Sequence, residues 1–282
     1  MTKLNIVDGY IDKVTIVGDM KRDGIEPLAL KFLGNSLDPR VIGPYLINKG
    51  QYDRAVQVKT KDSTALIQVS SRKITVSDFR IEFNPSKCDE EDMKFIHYLL
   101  SLVKHKRCTR IDLCINFHDD VMGFKLVDKR RRGQVEYKSP SGRLETLYRG
   151  SEQSEDFIKF YDKKKQQKDV KYRDIEHDWC RLEETIKDKK AEDFEKWEWF
   201  KGIKLINSNP IFSEDIDPKD RMVARCIMAG LEDIKGLKPT YAKKIKKIIE
   251  SVTYKDEFNV QEEIKKTSIV WETNEVLKKL LN

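Results

Sequence analysis

Hydrophobic and polar residues alternate from the start of the chain to about residue 209, and this period of two predicts β-strands. The early strands are predicted at Ile11–Val17, Arg54–Lys59, Thr64–Ser70 and Asp78–Asn84. The acidic run Asp89–Asp92 predicts the start of a helix that continues through Leu102, because apolar residues follow it at helical spacing. From about residue 210 the pattern is helical. The sequence therefore predicts an α+β fold, in which an antiparallel sheet with covering helices is followed by a helical segment.

Alternate residues of a strand point to opposite faces of the sheet, so the pattern also predicts which side chains share a face. In Thr109–His118, the residues Ile111, Leu113, Ile115 and Phe117 form an apolar face. The same alternation divides Phe79–Asn84, Phe157–Asp162 and Trp179–Ile186 into two faces, and Glu184 interrupts the apolar face of the last segment. If these strands pair, the open face collects Arg80, Glu82, Arg110, Asp112, Asn116, Lys159, Tyr161, Arg181 and Glu183. Such a set fits either an active site or a solvated face on which arginines pair with carboxylates.

The segment Asp156–Lys165 places Tyr161 at the end of a strand and beside a cluster of lysines. This pattern fits an ordinary amphipathic strand end, but it also suits a tyrosine that attacks a DNA phosphate. A phenol with an ordinary pKa of about 10 is a poor nucleophile, so cations and a metal-bound phosphate must favour the phenolate. The product would be a phosphotyrosine link and a free 3'-hydroxyl.

The other polar residues of the predicted open face divide into two groups by charge. The carboxylates of Glu82, Asp112 and Glu183 would suit a hard divalent cation, Mg or Mn. The cations Lys159, Arg110 and Arg181 could bind the non-bridging phosphate oxygens and stabilise the developing charge.

The charge balance favours a polyanionic partner. The chain has 55 Lys+Arg against 48 Asp+Glu, a net charge of +7, and nucleic acid is the default partner for such a basic excess. A merely soluble basic protein would have the same balance. The five cysteines include no CxxC pair, which predicts reduced thiols in a cytoplasmic protein. No stretch approaches the roughly 20 apolar residues of a membrane span, so no membrane partner is expected.

Several other chemistries are poorly supported. The chain has no GxxxxGK[ST] loop, which argues against an intrinsic ATPase or helicase. Its four histidines never form a histidine-hydrophobic-histidine pair, which argues against a histidine-ligated metal.

Turn-forming residues cluster in Asn207–Pro218 and predict a linker there. It would divide a catalytic domain, residues 1–209, from a helical DNA-recognition segment, residues 210–282. Two helices are predicted in this segment, at Pro218–Ile234 and Pro239–Val252. The second helix carries Lys243, Lys244, Lys246 and Lys247 outside its apolar stripe. The pair would form a helix-turn-helix-like unit that binds duplex DNA, or the lysines simply cover a surface helix.

Two more basic runs are candidates for contact with DNA. Lys163 and Lys164 follow Tyr161 directly, and Arg130 and Arg131 begin a run of three arginines. The arginine run could form a hairpin that contacts the DNA backbone, or it could be a solvated turn.

Three segments, taken in order, resemble a known family: Thr109–Phe117, Leu147–Lys164 and Trp179–Glu184. They are similar to the replication-initiation (Rep) family of rolling-circle plasmids of the staphylococcal tetracycline-plasmid type, which is related to relaxases of some integrative elements. That family shows an arginine-x-aspartate strand, a tyrosine-x-glycine-serine turn, an arginine-x-tyrosine-asp/asn-lysine strand and an arginine-x-glutamate strand. The resemblance covers roughly residues 75 to 190.

The resemblance implies a metal-dependent initiator that nicks one strand of a plasmid origin, acts as a homodimer and recruits a host helicase. It implies that Tyr161 is the nucleophile, that Asp112 and Glu183 bind the metal with Glu82 as a third acid, and that origin specificity lies in the carboxyl-terminal part. Lys159 departs from the family pattern, which has arginine there, and so do Gln166 and Gln167, where an acid often stands.

The sequence therefore predicts a rolling-circle replication initiator that binds both the duplex origin and the nicked single strand. Tyr148 and Tyr172 remain alternative nucleophiles. A relaxase of a mobilisable element would use the same chemistry. A non-catalytic DNA-binding copy-number regulator would bind DNA regardless of metal and of the change Tyr161→Phe.

Overall fold

The computed structural model describes residues 4, 6–20, 41–46, 51–207, 210–228, 231–254 and 257–282. Within these ranges the strands are β1 Ile6–Met20, β2 Val41–Leu46, β3 Tyr52–Lys59, β4 Thr64–Ser71, β5 Phe79–Phe83, β6 Val103–Phe117, β7 Lys125–Asp128, β8 Gln134–Lys138, β9 Leu144–Arg149, β10 Asp156–Asp162, β11 Cys180–Lys187, β12 Ile203–Ile206 and β13 Glu257–Asn259. The helices are α1 Glu90–Ser101, α2 Lys163–Lys171, α3 Asp188–Glu192, α4 Pro218–Met228, α5 Pro239–Ser251, α6 Val260–Ile264 and α7 Ile269–Leu281.

Ten of the described strands form one antiparallel sheet, in the order β2-β3-β4-β5-β1-β6-β11-β10-β9-β8. A second, three-stranded sheet has the order β13-β12-β7. The long strands β1 and β6 pair along the middle of the large sheet and hold its two halves together. The α+β fold predicted from the sequence is confirmed. The four predicted early strands are present, although β1 runs from Ile6 to Met20 rather than from Ile11 to Val17, and β2 was not predicted.

The apolar face of the large sheet lies against the main core. The apolar residues of β6 that share a face by parity, from Ile111 to Phe117, are all fully buried in this core. Helix α1 covers the same face through Ile96, Leu99 and Leu100. Asp89 and Asp92 form a capping box at its start, which satisfies backbone N–H groups that the first turn would otherwise leave unpaired. The predicted start of this helix is confirmed.

The carboxyl-terminal part contributes to two separate cores. Residues of α6 and α7, including Val260, Ile264 and Leu277, are buried in the main core. A second, small core holds Phe212, Ala224 and Ile245, which come from α4, α5 and the segment before them. One strand, β13, interrupts the predicted helical segment and joins β12 in the second sheet. The division between residues 209 and 210 stays a prediction.

Two further observations concern the thiols and the helices. All five cysteines are free in the structure. In the part of the chain that is described, no helix is both long and apolar enough to cross a membrane.

Candidate active site

The middle of the large sheet brings the predicted polar residues onto one face. Tyr161 on β10 lies opposite Arg181 on β11, which in turn lies opposite Asn116 on β6. One step along the same face, Lys159 lies opposite Glu183. The shared open face predicted by parity is therefore present, while the chemical roles of these residues stay predictions.

Tyr161 is held by a short hydrogen bond inside this face. Its hydroxyl donates to Glu183 Oε1 over 2.5 Å, and Lys163 Nζ donates to the same hydroxyl oxygen over 3.3 Å. Lys159 Nζ lies 4.4 Å from the centre of the Tyr161 ring. The side chain is nevertheless only 3% exposed. Burial, together with the Glu183 carboxylate, raises the pKa of Tyr161 well above its ordinary value, so in this arrangement the nearby lysines do not favour the phenolate.

Glu183 is placed to accept the phenol proton. Burial raises the pKa of Glu183 above its ordinary value, although Lys159 opposes the shift. A carboxylate with a raised pKa is a better proton acceptor at neutral pH than an ordinary one. The Tyr161–Glu183 pair therefore has the geometry of a nucleophile with its general base, and both roles stay predictions.

Arg181 organises the oxygen atoms beside this pair. Its Nε donates to Asn116 Oδ1 over 2.8 Å, its Nη1 to Asp12 Oδ1 over 3.2 Å, and its Nη2 to the hydroxyl of Tyr10. Nη1 also lies 3.6 Å from Glu183 Oε1, so Asp12 and Glu183 share one guanidinium nitrogen. Arg181 is buried, and in the structure its N–H groups contact protein atoms. Its predicted contact with a phosphate stays a prediction.

Asp12 is the site residue that the sequence analysis missed. The β1–β6 register shifts between Ile11, opposite Leu113, and Lys13, opposite Asp112, so Asp12 is the extra residue of a β-bulge. Bulges re-aim side chains next to functional sites. The signal in the sequence was the pair of adjacent polar residues, Asp12 and Lys13, inside an otherwise alternating strand.

The predicted group of three metal-binding carboxylates does not form. Glu82 pairs with Lys13 Nζ at 3.1 Å and with Arg80 Nη2 at 2.6 Å. Asp112 accepts two bonds of 2.8 Å from the guanidinium of Arg110. Among the residues described, no three His, Cys, Asp or Glu side chains form a group that could hold a metal ion. The prediction of one ligand group is wrong, because β5, β6 and β11 are not all adjacent and each carboxylate has its own partners. Dependence on Mg or Mn stays a prediction.

A different pair of carboxylates has oxygen donors of the type that a divalent cation binds. Asp12 and Glu183 converge on Arg181 beside the Tyr161 hydroxyl. Mg in phosphate-transferring sites is commonly bound through one or two carboxylates, with phosphate oxygens and water supplying the other positions. The oxygen donors of Asp12 and Glu183 are of the required type.

The lysines that follow Tyr161 contact protein atoms. Lys163 Nζ donates to Gln166 Oε1 over 2.7 Å, and burial lowers the pKa of Lys163 to about 8. Lys164 Nζ donates to the backbone oxygen of Glu176 over 3.1 Å and lies 3.5 Å from Asp178. Their predicted role in DNA binding stays a prediction.

The two arginines of the basic run differ in their surroundings. The Arg131 side chain is 2% exposed and is paired with Asp128, at 3.1 Å, and with Glu184. The prediction that Arg131 contacts DNA is wrong, because Glu184 is a fully buried carboxylate on the apolar face and needs a buried cation. Arg130 lies 4.4 Å from the Trp197 ring centre and 3.5 Å from Asp156. Its contact with DNA stays a prediction.

The lysine-rich helix α5 packs its apolar stripe on α4. Ile245 is buried in the second core, and Lys243, Lys246 and Lys247 are exposed on the opposite side. Lys244 is also exposed, although its Nζ lies 2.5 Å from Asp220 of α4. The first helix of the pair ends at Met228, earlier than predicted, and a short 3-10 turn at Ile234–Gly236 precedes α5. Recognition of duplex DNA by this pair stays a prediction.

Comparison with curated proteins identifies relatives among the replication initiation proteins of Staphylococcus aureus. One is 28% identical over 179 residues, which cover 62% of this chain and 55% of the relative. A second is 27% identical over 164 residues, which cover 57% and 50% of the two chains. Over this region the chain is similar to the staphylococcal replication initiation proteins. The family resemblance predicted from the sequence is therefore confirmed.

The extent of these matches is limited. The chain spans about half the length of the curated relatives that it matches. No protein-family model matches the chain. A solved structure of a rolling circle replication initiator protein from Geobacillus stearothermophilus aligns with 86% of this chain and 97% of its own, with a TM-score of 0.45 and 15% identity.

Proposed function

We propose that this protein initiates rolling-circle replication by nicking one DNA strand through Tyr161. The observation that carries the proposal is the 2.5 Å hydrogen bond from the Tyr161 hydroxyl to Glu183 on the open face of the sheet, with two lysines beside the ring. The relationship to replication initiation proteins supports the same function.

The chemistry is a transesterification that conserves the phosphoester. Glu183 accepts the phenol proton as the Tyr161 oxygen attacks the phosphorus. The bond between phosphorus and the 3'-oxygen breaks, and the departing 3'-oxygen takes up a proton. The products are a phosphotyrosine link to one DNA end and a free 3'-hydroxyl, which serves as the primer.

Cationic side chains compensate the charge that develops during the attack. Lys163 donates to the oxygen that becomes the nucleophile, and Lys159 lies over its ring. When DNA binds, both ammonium groups can turn towards the non-bridging phosphate oxygens and compensate the charge that develops there. Because Tyr161 is buried, DNA reaches its oxygen only after side chains that cover it have moved.

Mg or Mn is part of the proposal. Asp12 would hold the cation, and Arg181 would position its carboxylate beside Glu183, which stays free to accept the phenol proton. When bound, the cation would supply positive charge to the phosphate and lower the pKa of the nearby phenol.

The partners follow from the family resemblance. The duplex origin would contact the exposed lysines of α5, the nicked strand would contact the open face, and a host helicase and a second copy of the chain would complete the initiation complex. A mobilisation relaxase would use the same residues. A transfer assay distinguishes the two functions.

The experiment is a nicking assay on a supercoiled plasmid that carries a rolling-circle origin, with Mg or Mn, following protein covalently attached to DNA. The chain with Tyr148→Phe is the matched control, because Tyr148 lies on the neighbouring strand. We expect the adduct with the native chain and with Tyr148→Phe, and its loss with Tyr161→Phe while duplex binding is retained. An adduct that survives Tyr161→Phe would assign the nucleophile to another tyrosine. Binding without nicking in either metal would favour a copy-number regulator.

A further inference from the structure

Two tyrosines extend the open face from Tyr161 to the edge of the sheet, Tyr137 exposed and Tyr148 partly buried. Tyr137 on β8 lies opposite Thr146 on β9, and Thr146 lies opposite Tyr161 on β10. Tyr148, on the same face of β9, lies opposite Lys159. The rings of Tyr137 and Tyr148 meet edge to face, with centroids 6.0 Å apart, and Tyr137 is 58% exposed. The hairpin therefore presents aromatic surface to solvent next to the proposed nucleophile.

A second aromatic group lies on the other side of Tyr161. The rings of His118 and His177 have centroids 4.3 Å apart, and the His177 ring lies 6.4 Å from that of Trp179. Trp179 is fixed by a 2.9 Å hydrogen bond from its Nε1 to Asn116. Both histidines are exposed. Tyr161 thus lies between two accessible aromatic groups.

Cationic side chains lie beside the aromatic rings of this surface, with the Glu183 carboxylate opposite one of them. Lys159 lies between Tyr161 and Tyr148 in the sheet, and Lys163 Nζ lies 6.0 Å from the Trp179 ring centre. On the β8–β9 hairpin, Glu136 and Glu145 fall on the opposite face by strand parity. Stacking platforms interleaved with cations are the chemistry by which proteins bind single-stranded nucleic acid.

We propose that Tyr137, Tyr148, His118, His177 and Trp179 form an aromatic track that binds single-stranded DNA across Tyr161, with bases stacked on both sides of the nick. The track crosses five neighbouring strands, a span of about 19 Å at the usual strand spacing. Bases can reach these rings only when they are unpaired, so the track selects single-stranded DNA over duplex. The inference rests on the proposed function for the position of the nick, but binding to the track requires no cleavage.

The test measures binding of a fluorescent single-stranded oligonucleotide of about 16 nucleotides, at fixed salt, by anisotropy. All proteins comprise residues 1–282 and carry Tyr161→Phe, so that no adduct forms. Tyr137→Leu and Tyr148→Leu remove the stacking surface but keep apolar bulk, whereas Tyr137→Phe and Tyr148→Phe keep the stack. Tyr98→Leu is the matched control, because Tyr98 is a half-exposed tyrosine of α1, which covers the opposite face.

We expect each leucine variant to bind the oligonucleotide roughly tenfold more weakly, the loss typical of one base stack. The phenylalanine variants and Tyr98→Leu should bind like the parent, and duplex affinity should not change. Parental affinity in both leucine variants would overturn the inference. It would also be overturned if the leucine variants kept their DNA affinity but changed molar mass by light scattering, because β8 is an exposed edge strand that could instead pair with a second copy.

These outcomes are independent of the nicking experiment. If the native chain never nicks but the leucine variants lose single-strand binding, the track stands and the proposed function fails. If nicking requires Tyr161 but the leucine variants bind single-stranded DNA normally, the proposed function stands and the track fails.

Discussion

Replacing Arg131 by methionine should strongly destabilise the fold. The Arg131 side chain is 2% exposed and faces Asp128 and Glu184, whose side chains are 0% exposed. Methionine keeps similar length but leaves two buried carboxylates without their cation. Removing one partner of a buried ion pair costs about 3–5 kcal/mol. At about 2–4 °C per kcal/mol, the melting temperature should fall by about 6–20 °C.

The assay combines denaturant unfolding with DNA binding at several salt concentrations. Arg132→Met is the matched control, because Arg132 is the next residue and is exposed. It should change the free energy of unfolding by less than about 0.5 kcal/mol. Because Arg131 is internal, Arg131→Met should leave the salt dependence of DNA affinity unchanged. An arginine that neutralises one phosphate would contribute about 0.9 to that slope.

A pH series tests the physical reason for this loss. Burial raises the pKa of Glu184 even in the presence of Arg131, so removal of Arg131 should raise it further. A raised folded-state pKa means that the folded chain holds a proton that the unfolded chain loses as pH rises above about 4.5. The stability deficit of Arg131→Met should therefore be smaller at pH 5 than at pH 8. An unfolding free energy within about 1 kcal/mol of native, together with a reduced salt slope, would refute the assignment of Arg131 to the interior.

Three further predictions concern the site and the sheet. Glu183→Gln should slow single-turnover nicking by about 100-fold or more while single-strand binding is retained, because Tyr161 loses its proton acceptor. Nicking rates within about threefold of native would exclude Glu183 as the general base. Burial lowers the pKa of Lys163 from 10.5 to about 8, so its contribution to the unfolding free energy rises with pH from about 8 and is full above pH 10.5. Lys163→Met should remove this rise between pH 8 and 9.5, and an unchanged rise would contradict the assignment of the lowered pKa to Lys163. Gly18→Ala should destabilise the β1–β6 pair by about 1–3 kcal/mol, because the new Cβ would lie 2.7 Å from the backbone oxygen of Lys104. Gly123→Ala meets nothing within 4 Å and should be neutral in thermal unfolding, so equal effects of the two changes would count against the steric argument.

Strand parity was the part of the structure that the sequence predicted best. Each side chain of a strand is assigned to a face by counting, so Arg110, Asn116, Tyr161, Arg181 and Glu183 could be placed on one surface before their strands were paired. The start of α1 was equally local, because its capping box depends on residues three positions apart.

Pairing between distant side chains was beyond this reasoning. Glu82 and Asp112 were expected to share a metal, but strand β1 lies between their strands, so Glu82 pairs with Lys13 of β1 while Asp112 pairs with Arg110 of its own strand. Asp12 reaches the site only through a bulge, which breaks the parity on which the count depends.

The burial of Arg131 depends on tertiary structure in the same way. In the sequence it belongs to a run of three arginines that resembles a surface patch. Only the folded chain places Arg131 in contact with Glu184. In the sequence, the one local sign that a buried cation was needed was Glu184 itself, a carboxylate on an otherwise apolar strand face.

The central claim is that Tyr161 becomes covalently linked to DNA, and peptide mapping tests it most directly. The native chain is incubated with an origin plasmid and metal, the DNA is trimmed with nuclease, and the protein is digested with trypsin and analysed by mass spectrometry. The account predicts the mass of residual nucleotide on the peptide Phe160–Lys163, which contains Tyr161 as its one tyrosine. Nucleotide on the peptide Leu144–Arg149, which contains Tyr148, or on any other peptide would contradict it.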